Sequence, residues 1–320
     1  MRRTLLFSLL VASSLAACSG GHRDRGGTEA EGSSGAAGAG SRLSVKGSDT
    51  MVVLAQRWAE RYMQGHPGRT IEVSGGGSGT GIAALLNGTT DVANASRPLN
   101  AREHGQMPDA RETRVALDAL AVYVHSGSSL RSITVAQLAD IYAGRTTNWS
   151  AVGGPDAPIV LYSRENNSGT YAYFKEHVLG GGDFAANAQT LPGTAAVINA
   201  VSRDPNGIGY GGIGYASGVR TLSIAGADGA PIEPSMENAT SGRYPLARFL
   251  FMVTRGEPQG AARDFIDWAR SAEGQALVTE AGFFPLPADA AASAGGPAAA
   301  PAPAVVAPSA APAAAPAAAP

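Results

Sequence analysis

The sequence predicts an α/β fold of two lobes with a polar site between them, on three observations. Strand-like and helix-like segments alternate, and three of the strand-to-helix turns consist of glycine and small polar residues. Two long apolar segments, Arg114 to Val124 and Tyr244 to Val253, bracket the middle of the chain. Between terminal segments that cannot build a core lie about 245 residues, enough for one large or two modest cores.

In chain order, Leu43 to Lys46 reads as a short strand leading to Gly47-Ser48-Asp49-Thr50. Met51, Leu54, Ala55, Trp58 and Tyr62 then share one face of a helix, which Gly65 and Pro67 end. Thr70 to Val73 is the second strand. The loop Ser74-Gly75-Gly76-Gly77-Ser78-Gly79-Thr80-Gly81 follows it and opens a helix carrying Ile82, Leu85 and Leu86. The pattern returns as Pro158 to Tyr162, the loop Arg164 to Tyr171, and a helix carrying Tyr171, Phe174 and Val178. Loops of this kind at helix starts can aim backbone N–H groups, helix dipoles and hydroxyls at one anion. The expected site therefore lies at the carboxyl ends of the strands. If the two long apolar segments cross between lobes, one lobe is 43–121 plus 245–286 and the other 122–244, with a closing cleft between them.

The termini read differently. Arg2 and Arg3 precede an apolar run from Leu5 to Ala17, built like a secretory signal and too short to span a bilayer. It ends in Leu15-Ala16-Ala17-Cys18, which resembles a lipobox, so residues 1–17 are expected to be a lipoprotein signal peptide and Cys18 the lipid attachment site. Cys18 is the only cysteine, which excludes an internal disulfide. Residues 18–42 read as a flexible tether, and 287–320, nearly all Ala and Pro, as a disordered polyproline-like tail. The expected product is a monomer held at a membrane only through lipid, facing the periplasm or exterior. A formal net charge of −2 gives no reason to expect a nucleic-acid partner.

Six segments, taken together and in order, resemble a known family. Gly47-Ser48-Asp49-Thr50-Met51, the glycine loop through Ile82, Ala95-Ser96-Arg97, Thr147-Asn148-Trp149, Arg164 to Tyr171 and Gly207-Ile208-Gly209-Tyr210 are similar to the successive motifs of the PstS family. These are the phosphate-binding lipoproteins of phosphate ABC transporters. The resemblance covers 43–286 and implies a type II periplasmic-binding-protein fold that delivers inorganic phosphate to an ABC permease. It places phosphate contacts on Thr50, the backbone of Met51, Ser78, Arg164, Ser168, Gly169 and Thr170. Arg97 stands where the best-known branch of the family has an acidic proton acceptor, and direct contact with the anion is expected of it. Asp49 and Glu165 are the candidates for a replacement acceptor. The chain has only two lysines, Lys46 and Lys175, so its anion recognition rests on arginine and neutral donors. Ser48 is open to either role, ligand donor or helix cap, and Trp149 is expected to pack rather than stack on ligand.

No catalytic machinery is legible: there is no nucleophile elbow, no phosphate loop ending in lysine and no dinucleotide fingerprint. The five histidines are scattered without metal-ligand spacing. Neither an enzyme, a cofactor nor a metal site is expected. The alternative to transport is a lipid-anchored oxyanion sensor or surface adhesin on the same fold.

Overall fold

The computed structural model describes residues 42–226 and 229–288. The expected signal peptide, Cys18, the tether except Arg42, which begins the first strand, and nearly all of the Ala/Pro tail lie outside these residues. The first part of the described chain runs β1 (Arg42–Gly47), α1 (Val52–Gly65), β2 (Thr70–Ser74), α2 (Ser78–Leu86), β3 (Val92–Ala95), α3 (Ala101–Gln106) and β4 (Ala110–His125). The middle holds β5 (Ser132–Thr134), α4 (Val135–Tyr142), β6 (Val160–Arg164), α5 (Gly169–His177), β7 (Gln189–Leu191), α6 (Gly193–Arg203), β8 (Gly207–Gly212), β9 (Val219–Ala225), β10 (Pro231–Ile232) and α7 (Met236–Thr240). It ends with β11 (Ala247–Arg255), α8 (Gly260–Arg270) and α9 (Ala272–Glu280).

The strands form one curled mixed sheet in the order β2-β1-β3-β11-β4-β8-β6-β7, with β9 beside β4 and β5 and β10 beside β9. Strands β2, β1 and β3 are parallel, as are β8, β6 and β7, and β4 is antiparallel to both β11 and β8. Strand β4 joins the two parallel groups. Its residues 110–119 pair with β11, and its residues 120–125 pair with β8 and β9. Both sides of this strand are covered, and every residue from Val115 to Val124 is buried, which explains a run that is apolar except for Asp118.

Two large apolar cores flank the sheet. One gathers Leu43, Val45, Trp58 and Tyr62 with Leu250, Phe265, Ile266 and Phe283. The predicted face of α1 supplies much of it, since Leu54, Ala55, Trp58 and Tyr62 are all buried. The other gathers Leu120, Val122, Tyr142, Trp149, Phe174, Tyr210 and Leu246. There the rings of Phe174 and Tyr210 stack at 4.1 Å, with Tyr142 edge-on to both. Strand β4 contributes to both cores, Val115 and Ala116 to the first and Leu117, Ala119, Leu120, Val122 and Val124 to the second.

This topology positions a site. The carboxyl ends of β1, β3 and β6 lead into Ser48–Met51, Ser96 and the Arg164–Ser168 turn, and the N-termini of α1, α2 and α5 begin there.

Candidate functional site

Contact between the N-termini of α2 and α5 is the central geometric fact. A Cβ on Gly169, the first residue of α5, would lie 2.7 Å from Ser96 Oγ, 2.9 Å from Ser78 Cβ and closer still to Ser78 Oγ. Only glycine permits that approach. Thr50, just before α1, meets the same point, with its Oγ1 2.9 Å from Thr170 Oγ1. Ser78 Oγ accepts from Ser96 N at 3.1 Å and lies 3.3 Å from Ser96 Oγ. Thr50, Ser78, Ser96 and Thr170 are each at most 1% exposed. Three positive helix ends and four buried hydroxyls thus converge on one small volume, an arrangement that mutual repulsion disfavours and an anion stabilises.

The glycine loop bends to reach this volume. Gly76 and Gly77 adopt φ of 105° and 90°, which residues with a Cβ rarely adopt. Gly77 N donates to Gly47 O and Gly79 N to Asn167 O, both within 3.0 Å. Asn167 answers across the gap, its Nδ2 donating to Gly76 O at 3.0 Å and to Thr80 Oγ1 at 3.1 Å. The first two expected loops and the third are therefore latched together.

Two guanidinium–carboxylate pairs flank the hydroxyls, one fully buried and one with a partly exposed carboxylate. Arg164, the last residue of β6 and 1% exposed, donates from Nη2 to Asp49 Oδ2 and from Nη1 to Thr194 Oγ1, both at 2.9 Å. Its Nε has no partner. Burial lowers the pKa of this guanidinium and the Asp49 charge opposes the shift, so the pair is held by mutual need. Asp49 also accepts Gly76 N on Oδ1 at 2.8 Å, leaving both its oxygens engaged. The second pair is Arg248 and Asp118, direct neighbours across β11 and β4. Arg248 donates to Asp118 Oδ2 from Nε at 3.0 Å and Nη2 at 2.8 Å, and from Nη2 to Thr170 Oγ1 at 3.0 Å. Burial pushes the Asp118 carboxyl upward, countered by Arg248 and by the Ile213 N–H.

Of the residues expected from the sequence, Thr50, Ser78, Gly169 and Thr170 are brought together, with Arg164 at their edge. Ser168 sits at the α5 N-cap, its Oγ accepting Tyr171 N, and orients the helix end. Met51 N donates to Ser48 O within the turn, and its side chain belongs to a core. No side chain caps α1, so Ser48 does not serve as its cap. Trp149 packs in the second core and donates from Nε1 to Asn206 O at 3.0 Å, as expected of a packing residue.

Arg97 departs from expectation. Its guanidinium forks onto the Glu103 carboxylate, Nη1 to Oε2 at 2.7 Å and Nη2 to Oε1 at 2.8 Å, while Nη1 also donates to Pro98 O. Glu103 is the third residue of α3 and completes a capping box with Asn100, which fixes the carboxylate where Arg97 finds it. The structure therefore does not bring Arg97 to the hydroxyl cluster. The arginine that does reach it, Arg248, and its partner Asp118 lie inside the two apolar strands and drew no attention in the sequence. A charged pair in otherwise apolar strands was the available signal. Among the described residues no His/Cys/Asp/Glu group is arranged to hold a metal ion.

Fold and site together define a type II periplasmic-binding-protein architecture built around an oxyanion cradle. The PBP superfamily domain matches residues 32–273. The phosphate-binding protein PstS of Pseudomonas aeruginosa is 35% identical over 284 residues, covering 81% of this chain and 87% of its own length. PstS of Bacillus subtilis is 30% identical over 247 residues, covering 76% and 80%. A substrate-binding protein from Clostridium perfringens, crystallised with bound phosphate, superposes with a TM-score of 0.71 at 30% identity, covering 77% of this chain and 100% of that one. The chain belongs to the PstS family of ABC-transporter substrate-binding proteins.

Proposed function

We propose that the protein captures inorganic phosphate outside the cytoplasm and delivers it to the permease of an ABC transporter, without chemistry on the ligand. The observation that carries this reading is the meeting of three helix N-termini and the hydroxyls of Thr50, Ser78, Ser96 and Thr170 at Gly169. A buried dianion needs many donors to offset its desolvation, and these donors come from segments far apart in the chain. Residues 43–121 plus 245–286 and residues 122–244 act as the two lobes. Phosphate binds in the open cleft, and closure brings the α2 and α5 N-termini together, so ligand stabilises the closed state. Asn167 then bridges the two sides.

In this reading Ser78, Thr50 and Thr170 donate hydroxyl hydrogens, Gly169 and neighbouring backbone N–H groups donate from the helix end, and Arg164 supplies a cation from its free Nε. The protein works as a monomer, held at the cell envelope by lipid on Cys18. No helix among the described residues is long and apolar enough to cross a membrane.

Calorimetric titration of the purified protein, stripped of anion, with phosphate and then sulfate tests the proposal. Strong phosphate heat is expected, and no heat with either anion would refute it. Arg164→Ala should weaken phosphate binding by about 2–5 kcal/mol. Wild-type affinity in that variant would remove Arg164 from the site.

A further inference from the structure

We propose that Arg248 is a direct ligand of the bound phosphate and the residue that makes the cradle select the doubly charged anion. The inference rests on the phosphate reading and goes beyond it, since Arg248 lies in none of the motifs that led there.

Arg248 is 2% exposed, and its five N–H hydrogens sit on three nitrogens of differing fates. Nε and Nη2 are tied to Asp118, and Nη2 also reaches Thr170 Oγ1, a member of the cradle. Nη1 is buried and has no partner. A simple staple between β4 and β11 would need only the first two nitrogens. Leaving the third buried and unpaired costs the hydration it gives up on folding, a cost that an anion oxygen beside Thr170 removes.

The surroundings support the same assignment. Asp118 fixes the guanidinium from behind, and its own Oδ1 accepts Ile213 N at 3.1 Å, so the carboxylate is a positioning group and cannot swing to the ligand. Arg164 has an unpartnered buried Nε of its own. Burial, and to a smaller degree the Arg248 charge, destabilises the charged Arg164, so an anion near both relieves their repulsion. The two carboxylates that border the cradle, Asp49 and Asp118, are each committed to an arginine. Every oxygen of both already accepts a hydrogen bond, Arg97 is turned to Glu103, and Glu165 lies on the partly exposed turn after Arg164 rather than among the buried hydroxyls. Selection must then act on the charge of the anion rather than on its proton.

The test is titration of the full chain with inorganic phosphate below and above its second ionisation, for wild type, Arg248→Lys and the double variant Asp118→Asn/Arg248→Met. Thermal denaturation without phosphate checks folding. The double variant removes both charges, so neither is left buried alone. Wild type is expected to gain affinity as phosphate becomes the dianion. Arg248→Lys, which cannot reproduce the fork, should bind about tenfold more weakly or worse. The double variant should lose about thirtyfold or more, together with most of the pH gain. If wild type takes up no phosphate, the phosphate reading itself fails. If wild type binds and a folded variant keeps both affinity and pH gain, the Arg248 assignment alone is overturned and the pair is only a cross-strand staple. Should the variants not fold, a crystal structure of the wild-type phosphate complex decides. Arg248 Nη1 at about 2.7–2.9 Å from a phosphate oxygen supports the assignment, and a separation beyond about 3.5 Å overturns it.

Discussion

Gly169→Ala is expected to separate binding from stability. The new methyl would sit 2.9 Å from Ser78 Cβ and 2.7 Å from Ser96 Oγ. Carbon atoms pack best at about 3.5–4.0 Å, so the α2 and α5 N-termini must separate by at least about 0.6 Å. Overpacking of this kind typically costs about 1–3 kcal/mol. Here the cost falls on the closed cradle, and at 1.4 kcal/mol per tenfold it weakens phosphate binding by about 5- to 100-fold. Away from the cradle the substitution is benign, because alanine is the better helix former by roughly 0.5–1 kcal/mol and Gly169 has no left-handed φ to protect. Calorimetric titration with phosphate and thermal denaturation without it are the paired assays. The expected result is a lower affinity with an unchanged or raised melting temperature. Gly65→Ala, at the end of α1 where a Cβ meets nothing within 4 Å, is the control and should leave binding alone. Unchanged affinity in Gly169→Ala would refute the idea that this contact forms part of the liganded state.

Asn167→Ala deletes the side-chain bonds to Gly76 O and Thr80 Oγ1 but keeps the backbone bond from Gly79, and should weaken binding by about 1 kcal/mol, chiefly through faster release in stopped-flow. A wild-type release rate would show that the latch is not limiting. Arg97→Ala should leave phosphate affinity within about twofold while lowering stability by on the order of 1 kcal/mol, and a loss matching Arg164→Ala would return Arg97 to the site. Burial works to raise the Glu103 pKa, but Arg97 and the Asn100 N–H outweigh it and hold it below its ordinary value of 4.5. Its contribution is therefore present above that value and lost as pH falls through the depressed one, and the corresponding acid sensitivity of the melting temperature should shrink in Arg97→Ala. Cys18→Ala should move the protein from the membrane fraction to the soluble fraction of fractionated cells, and retention at the membrane would exclude lipid on Cys18 as the anchor.

The alternation of elements was legible because each carries its own local evidence. The face Leu54, Ala55, Trp58 and Tyr62 marks α1 by spacing alone, and all four residues are buried. Strands β4 and β11 were expected at 114–124 and 244–253 and run Ala110–His125 and Ala247–Arg255, lengthened where charged residues pair at the margins and, for β11, starting later because Pro245 lies in a turn. The glycine loop was legible for a related reason: three successive glycines before a helix signal a backbone that must bend sharply and approach something closely.

The two arginines mark the boundary between sequence and structure. Arg97 was prominent in the sequence because a motif pointed to it, yet its partner is settled six residues away by the capping box of α3. Arg248 was hidden within an apolar strand, and its partner Asp118 is 130 residues distant. Local patterns determined by themselves the α/β fold class and the polar turns at helix starts. Only the tertiary structure decided which arginine stands in the cradle, because side-chain pairing across β4 and β11 depends on register. Register arises from the packing of the whole sheet rather than from any one segment.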